Sequence, residues 1–250
     1  MMKVLRAVCA VTLMLFFSGC GLDTFYYLDA PEIDNYCEMN EESFNNLYVS
    51  FQTAETTENN SLYLSSSSDF SFKGTALYYR IYDSTSAITS FKQIVDSLNS
   101  ETSYASAAER IISANYKPLS LSGTREPMPL VTQTGTNRYV YVRLCRGGGT
   151  EDDFAPAVRI SNDRINVSTE GSDLYANQSP CRSNGQSFEF GKENVALPLQ
   201  TDEDCSLTAS SADIYYVDLY AFSVGQDTTF ARSYSNAVHV GTIPISVAHE

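Results

Sequence analysis

The stretch Ile214-Tyr215-Tyr216-Val217-Asp218-Leu219-Tyr220-Ala221-Phe222-Ser223-Val224 decides the fold. Val217, Leu219 and Ala221 fall on one side of an extended chain, and Tyr216, Asp218 and Tyr220 fall on the other. A repeat of two is the pattern of a β-strand with one apolar face. The reading turns the aliphatic set into a core and sends Asp218 and its tyrosine neighbours outward. Working outward, the same period marks Leu47 to Phe51 and Phe70 to Tyr82, where Leu77, Tyr79 and Ile81 oppose Tyr78, Arg80 and Tyr82. It returns at Val140, Val142 and Leu144, set against Tyr139, Tyr141 and Arg143, and again at Ala237 to Ile243. Val158, Ile160, Ile165 and Val167 flank Asn162-Asp163, which reads as a hairpin. A mainly β chain is expected.

Between Tyr82 and Pro118 the period lengthens. Ile88, Phe91, Ile94, Val95 and Leu98 recur at helical spacing, with Ser84 to Ser86 as candidate N-caps. Ser103 to Ser113 predicts a shorter second helix, where Ser106 and Glu109 fit a capping box if the helix does not start earlier. Pro118, Pro127 and Pro129 exclude helix beyond that point. The segment ending in Ser65 to Ser68 reads as a polar loop. Residues 170–212 read as loop-rich, with one short strand near Phe188.

Charge narrows the function. Sixteen Lys plus Arg stand against 30 Asp plus Glu, a net −14 over 250 residues. Nucleic-acid binding needs clustered cations to displace phosphate counterions, so no nucleic-acid partner is expected. Hydrophobic residues at 43% supply enough material for a packed core, which argues against disorder.

The N-terminus carries an address. Lys3 and Arg6 precede an apolar run from Val8 to Phe17, interrupted only by Thr12. A run of about ten residues suits an export leader and falls short of the roughly 20 needed to span a bilayer. Phe17-Ser18-Gly19-Cys20 follows and resembles a lipobox, with Phe17 where Leu is usual. That resemblance implies cleavage before Cys20, a diacylglycerol thioether on its sulfur and acylation of the new N-terminus. The expected parts are a leader at residues 1–19, a lipid-anchored segment at 20–45 and a β domain at 46–250. Loss of Lys3 and Arg6 with the leader takes the net charge from −14 to −16. Gly21 follows Cys20 in place of the Asp that signals inner-membrane retention, so the expected place is the envelope, at the outer membrane.

Cys9 leaves with the leader. Cys37, Cys145, Cys181 and Cys205 remain, and an even set of thiols in an exported chain favours two disulfides with three possible pairings. Cys181–Cys205 closes the shortest loop. Each bridge would contribute about 2–4 kcal/mol. No CxxC pair occurs, and neither a metal nor a cofactor is expected.

Tyr215-x-Val217-x-Leu219-Tyr220-Ala221, followed by Ser233-Tyr234-Ser235-Asn236-Ala237-Val238, is similar to the last two strands of fibronectin type III domains. Phe72-Lys73-Gly74 leading into Leu77-Tyr78-Tyr79-Arg80-Ile81-Tyr82 looks like their third strand. The likeness implies a fibronectin type III or Ig-like β-sandwich, here with a helical insertion at about 86–113 and extended loops. The family's core Trp has no counterpart, because the chain contains none. The span 125–210 either completes that sandwich or adds a second sheet. With the lipobox, the whole resembles sandwich-type lipoproteins of spirochaetes.

Catalytic patterns fail in turn. No G-x-S-x-G elbow and no S-x-x-K pair occur. A triad would need His239, read as a solvent-facing strand residue, or His249, next to the last residue. Glu151, Asp152, Asp153 and Asp202, Glu203, Asp204 are the carboxylates a glycan hydrolase or a calcium loop would draw on, and adjacent acids point apart. Arg146 to Gly149 reads as a turn, and Asn59, Asn166 and Asn177 match glycosylation acceptors. Tyr78, Tyr82, Tyr139, Tyr141, Tyr216 and Tyr220 lie opposite the aliphatic faces and form the candidate binding surface, unless a second layer covers them. The expected function is a non-enzymatic, lipid-anchored binding module for a protein or glycan. A structural lipoprotein with a periplasmic partner and a hydrolase are the alternatives.

Overall fold

In a computed structural model of the chain, the described residues are 26–39, 47–64, 69–99, 105–121, 129–144, 156–165, 178–192 and 194–247. The elements in order are β1 (Glu32–Asn35), β2 (Val49–Gln52), α1 (Thr57–Leu64), β3 (Phe70–Tyr82), α2 (Thr85–Leu98) and α3 (Ser106–Ser113). Short strands β4 (Lys117–Pro118), β5 (Ser120–Leu121) and β6 (Val131–Thr132) follow, then β7 (Tyr139–Arg143) and β8 (Ala157–Ser161). The chain closes through β9 (Pro180–Cys181), β10 (Cys205–Ser206), β11 (Ile214–Asp227), β12 (Arg232–Tyr234) and β13 (Val238–Ser246).

The stretch that opened the sequence reading becomes β11, the spine of the larger sheet. It pairs antiparallel with β3 along almost its whole length, and with β13 and β12 on its other side. The three strands that carry the fibronectin-type motifs thus lie side by side. The free edge of β3 is filled in steps by β6 at Gly74–Thr75, β4 at Tyr78–Tyr79 and β10 at Ile81–Tyr82. The second sheet runs β1-β2-β7-β8. Because β7 and β8 belong to it, the span 125–210 helps complete the sandwich.

Each long strand has two buried faces. Leu77, Tyr79 and Ile81 of β3 and Val217, Leu219 and Ala221 of β11 meet Val49, Phe51, Val140 and Val142 of the other sheet. The opposite faces, with Ala76, Tyr78, Tyr82, Tyr220 and Phe222, pack against Ile88, Phe91, Val95 and Ile111 of the helices. The arrangement is three layers: sheet, sheet and helical cover. Fully burying one large apolar side chain contributes about 1.5–3 kcal/mol, so both interfaces are worth forming.

Local chemistry explains the helices. α2 buries Ile88, Phe91 and Val95 at helical spacing after an extended Ser84 at its N-cap. The capping box predicted at Ser106 is displaced, since Ser106 is already helical and Ala105 caps in a left-handed conformation, φ 71°. α1 occupies the predicted polar loop. Thr56 Oγ1 accepts from Asn59 N at 3.1 Å, and Asn59, buried, donates through Nδ2 to Ala54 O at 2.7 Å. Asn59 is therefore no glycan acceptor. The predicted hairpin at Asn162-Asp163 is also corrected: β8 pairs with β7, Ile165 is not in a strand, and residues 166–177 lie outside the described set. Phe188 is buried in irregular chain and belongs to no strand.

A seam joins the two sheets at one corner. Cys37 bridges Gly241 of β13, and Thr242 N donates to Cys37 O at 2.9 Å. Gly241 has φ +143°, and a Cβ there would meet Cys37 N and O at 2.8 Å, so only glycine lets the backbones approach.

Candidate functional site

A buried arginine organises the polar centre. Strand alternation just past β9 turns Arg182 inward and leaves the Cys181 side chain half-buried, its thiol 3.7 Å from Ser179 O. Arg182 Nη2 stands 2.7 Å from Asp202 Oδ2 and 2.7 Å from Asp204 Oδ1, and Nε donates to Asp204 Oδ2 at 3.0 Å. Tyr79 donates to the same Oδ2 at 2.6 Å and accepts from Ser183 N at 2.7 Å. Burial alone would raise the Asp204 carboxyl, but the hydrogen bonds and charge of Arg182 with the Tyr79 hydroxyl outweigh it and hold it below its ordinary value. Burial and the neighbouring Asp204 push the Cys205 thiol up. Asp202, Asp204 and Cys205 bring possible metal-ligand atoms within 4.8 Å of one another. The cation among them is the guanidinium, whose Nη2 also lies 3.4 Å from Cys205 Sγ.

Above this centre opens a groove of about 360 Å³, lined by Ser183, Asn184, Thr201, Asp202, Glu203 and Asp204. Glu203 is held below its ordinary value by a hydrogen bond from Lys117, 2.8 Å away. The carboxylates that sequence reading singled out thus line one rim and are committed to cations of the same chain. A glycan hydrolase needs one carboxyl raised so that it can donate a proton, and neither Asp204 nor Glu203 is shifted that way. Glu151, Asp152 and Asp153 lie outside the described residues.

A second constellation lies under the helices. Asp218 is fully buried, and its carboxylate accepts from Tyr116 Oη at 2.6 Å and from Thr242 Oγ1 at 2.7 Å. His239, 8% exposed, places Nε2 2.6 Å from Asp218 Oδ1 and Nδ1 3.0 Å from the Tyr36 hydroxyl. A carboxylate only accepts, so Nε2 carries the proton. Tyr82 donates to Tyr116 at 3.1 Å and extends the chain of bonds. The solvent-facing positions expected for His239 and Asp218 are therefore wrong: the helical layer covers that face. Burial and the nearby Asp218 push the Tyr36 hydroxyl up to about 12, opposite to what an activated nucleophile requires.

The candidate tyrosine surface dissolves too, under the helices for Tyr78, Tyr82, Tyr216 and Tyr220 and against the far face of the other sheet for Tyr139 and Tyr141. Tyr78, Tyr82, Tyr141 and Tyr220 are buried, and Tyr139 and Tyr216 are only partly exposed. Tyr78 stacks on Phe222 at 5.0 Å, and Tyr116 meets Tyr220 edge-on at 5.5 Å. Tyr141 packs with Ala157 on the far face of the other sheet and accepts from Ile165 N at 2.8 Å. The favoured bridge does not form either, since Cys181 and Cys205 both remain thiols. Cys37 is buried, with Sγ 3.8 Å from Glu38 O. Cys20, Cys145, Arg146–Gly149 and His249 lie outside the described residues. Sequence reasoning missed Arg182 and Tyr79. For the second constellation the available signal was Asp218, an acid in mid-strand among apolar residues that had to find partners if its face was covered.

These features define a mainly β sandwich protein with a helical cover and a polar groove at one side. No protein-family model, no curated protein and no solved structure matches the chain. Among the described residues no helix is long and apolar enough to cross a membrane.

Proposed function

We propose that the chain is a lipid-anchored cell-envelope protein that works as a non-enzymatic binding module. The anchor reading is supported by Lys3, Arg6, the Val8 to Phe17 run and Ser18-Gly19-Cys20, which fall in register as a lipoprotein leader and acylation site. Attached lipids supply the two-chain anchorage that a strongly acidic domain cannot obtain from anionic headgroups.

One observation carries the binding reading. The groove over Arg182 is built on carboxylates held by cations of the chain, Asp202 and Asp204 by Arg182 and Glu203 by Lys117, with Ser183, Asn184 and Thr201 completing its lining. Such a site suits hydroxyl- or amine-bearing groups, which its carboxylate, amide and hydroxyl side chains can hydrogen-bond. The ligand is a glycan or protein of the envelope. Soluble envelope-glycan fragments and envelope extract, added to isotope-labelled protein, test this. Amide shifts centred on Ser183, Asn184 and Thr201, lost in Thr201→Val with Asn184→Ala, are expected. Shifts elsewhere, or cleaved fragments, would overturn the reading.

A further inference from the structure

The hairpin between β11 and β12 spends its hydrogen bonds on presenting an aromatic ring to solvent. Asp227 Oδ1 accepts from Thr229 N, Thr229 Oγ1 and Ala231 N, each at 2.8 Å. Phe230 N donates to Asp227 O at 3.1 Å, and Gln226 Nε2 donates to Phe230 O at 3.2 Å. Thus braced, Phe230 takes φ 68°, a left-handed backbone that a bulky residue rarely adopts, and the residue is 79% exposed. Strain held in place by several bonds points to a use for the ring in that position.

The N-terminal segment leaves the domain at the same end. Asp29 O accepts from Ser223 Oγ at 2.6 Å. Three residues earlier, the Tyr26 ring stacks on Phe70 at 4.2 Å, and Phe70 pairs with Asp227. Gly225 makes room for the Phe70 ring, which occupies the place of its absent Cβ. From residue 29 back to residue 26 the chain therefore advances from the level of Ser223 to that of Gly225, in the direction of the hairpin turn. Tyr27, 49% exposed, adds a second aromatic at this end. Cys20 precedes Tyr26 by six residues, which reach at most about 22 Å. β13 ends at Ser246 opposite Ile214, at the far end of β11.

We propose that the end of the sandwich carrying Phe230 lies against the bilayer that holds the N-terminal lipid, with the Phe230 ring inserted among the lipids as a second, non-covalent anchor. The proposal rests on the lipid-anchored reading. The short distance along the chain from Cys20 keeps the hairpin within reach of the surface, and an exposed Phe ring gains by burial at the headgroup–acyl boundary. Exposed Lys73 and Arg232 flank the hairpin and offer headgroup phosphates local partners on a protein whose net charge is −14.

The chain contains no Trp, so Phe230→Trp creates a single fluorescent reporter. The mature chain, residues 20–250, is tethered to neutral phosphatidylcholine vesicles through a histidine tag and a chelating lipid. The tag is placed at the N-terminus in one sample and at the C-terminus in the other. The expected result is a blue shift and quenching by brominated acyl chains with the N-terminal tether, and neither with the C-terminal tether. Emission unchanged by the N-terminal tether, or shifted equally by both, would overturn the proposal. So would a shift that appears only when an envelope protein is added, which would give the ring to a protein pocket. Because the tether replaces the natural lipid, an unmodified Cys20 in the native protein defeats the anchor reading separately from this test.

Discussion

Nε2 of His239 lies 2.6 Å from Oδ1 of Asp218, so the mid-strand acid of β11 is answered by the strand beside it, beneath the helices. With Tyr116 and Thr242 on the same carboxylate, one side chain satisfies three buried donors, two from β13 and one from the segment just past α3. Through Tyr116, just past α3, the network ties the helical cover to this face of the sheet.

Asp218→Ala removes that common acceptor and strands the three donors. The expected loss of stability is about 3 kcal/mol, read from urea unfolding midpoints at neutral pH. A loss below about 1 kcal/mol would mean that the network is incidental to folding.

Arg182 gives a second contrast. Arg182→Met leaves Asp204 buried without its cation and should cost about 3–5 kcal/mol, while Arg182→Met combined with Asp204→Leu should regain most of it. The wild-type pair also sets an acid limit. The folded Asp204 value lies below its unfolded value of about 3.9, so its contribution is complete above that pH and is lost as pH falls through the folded value. Unfolding free energies measured from pH 6 downward should fall more steeply below about 4 in wild type than in the double variant. Parallel curves would contradict the assignment.

The covered tyrosines set an alkaline limit. Burial pushes Tyr78 and Tyr82 up to about 12, with the Tyr116 hydroxyl partly offsetting it at Tyr82. A raised folded value means a contribution intact below the unfolded value of about 10 and lost as pH rises beyond it. Absorbance at 295 nm, a standard phenolate readout, should show a class of tyrosines ionising well above the exposed ones, and urea should merge the two classes. A single step near 10 in the native protein would restore the tyrosine surface that the helices now hide.

Thiol reactivity checks the cysteines. Cys181 is partly exposed and should react with a disulfide reagent in the native state, whereas buried Cys205, with its thiol pushed up, should react only after unfolding. A Cys181–Cys205 bridge found by peptide mapping would contradict both.

Legibility in the sequence followed solvent contrast. β3, β7, β11 and β13 were readable because apolar residues alternate there, and α2 because Ile88, Phe91 and Val95 repeat at helical spacing. α1 was not, since Thr57 to Leu64 has no apolar stripe and is held by the Asn59 side chain. Alternation separates two faces without saying what covers either, so Asp218 and His239 read as solvent-facing, and Tyr78 and Tyr220 as a surface unless a second layer covered them, which the helices do. The groove was half legible. Asp202 to Asp204 announced charge, but Arg182 and Tyr79 reach them only through tertiary pairing of distant segments.

The most direct measurement on the whole account is the intact mass of the protein extracted from the cell envelope. A chain that starts at Cys20, heavier by a diacylglyceryl group and an N-terminal acyl group, is the expected result. A chain that retains Met1, or one with an unmodified thiol at Cys20 in the soluble fraction, would contradict it.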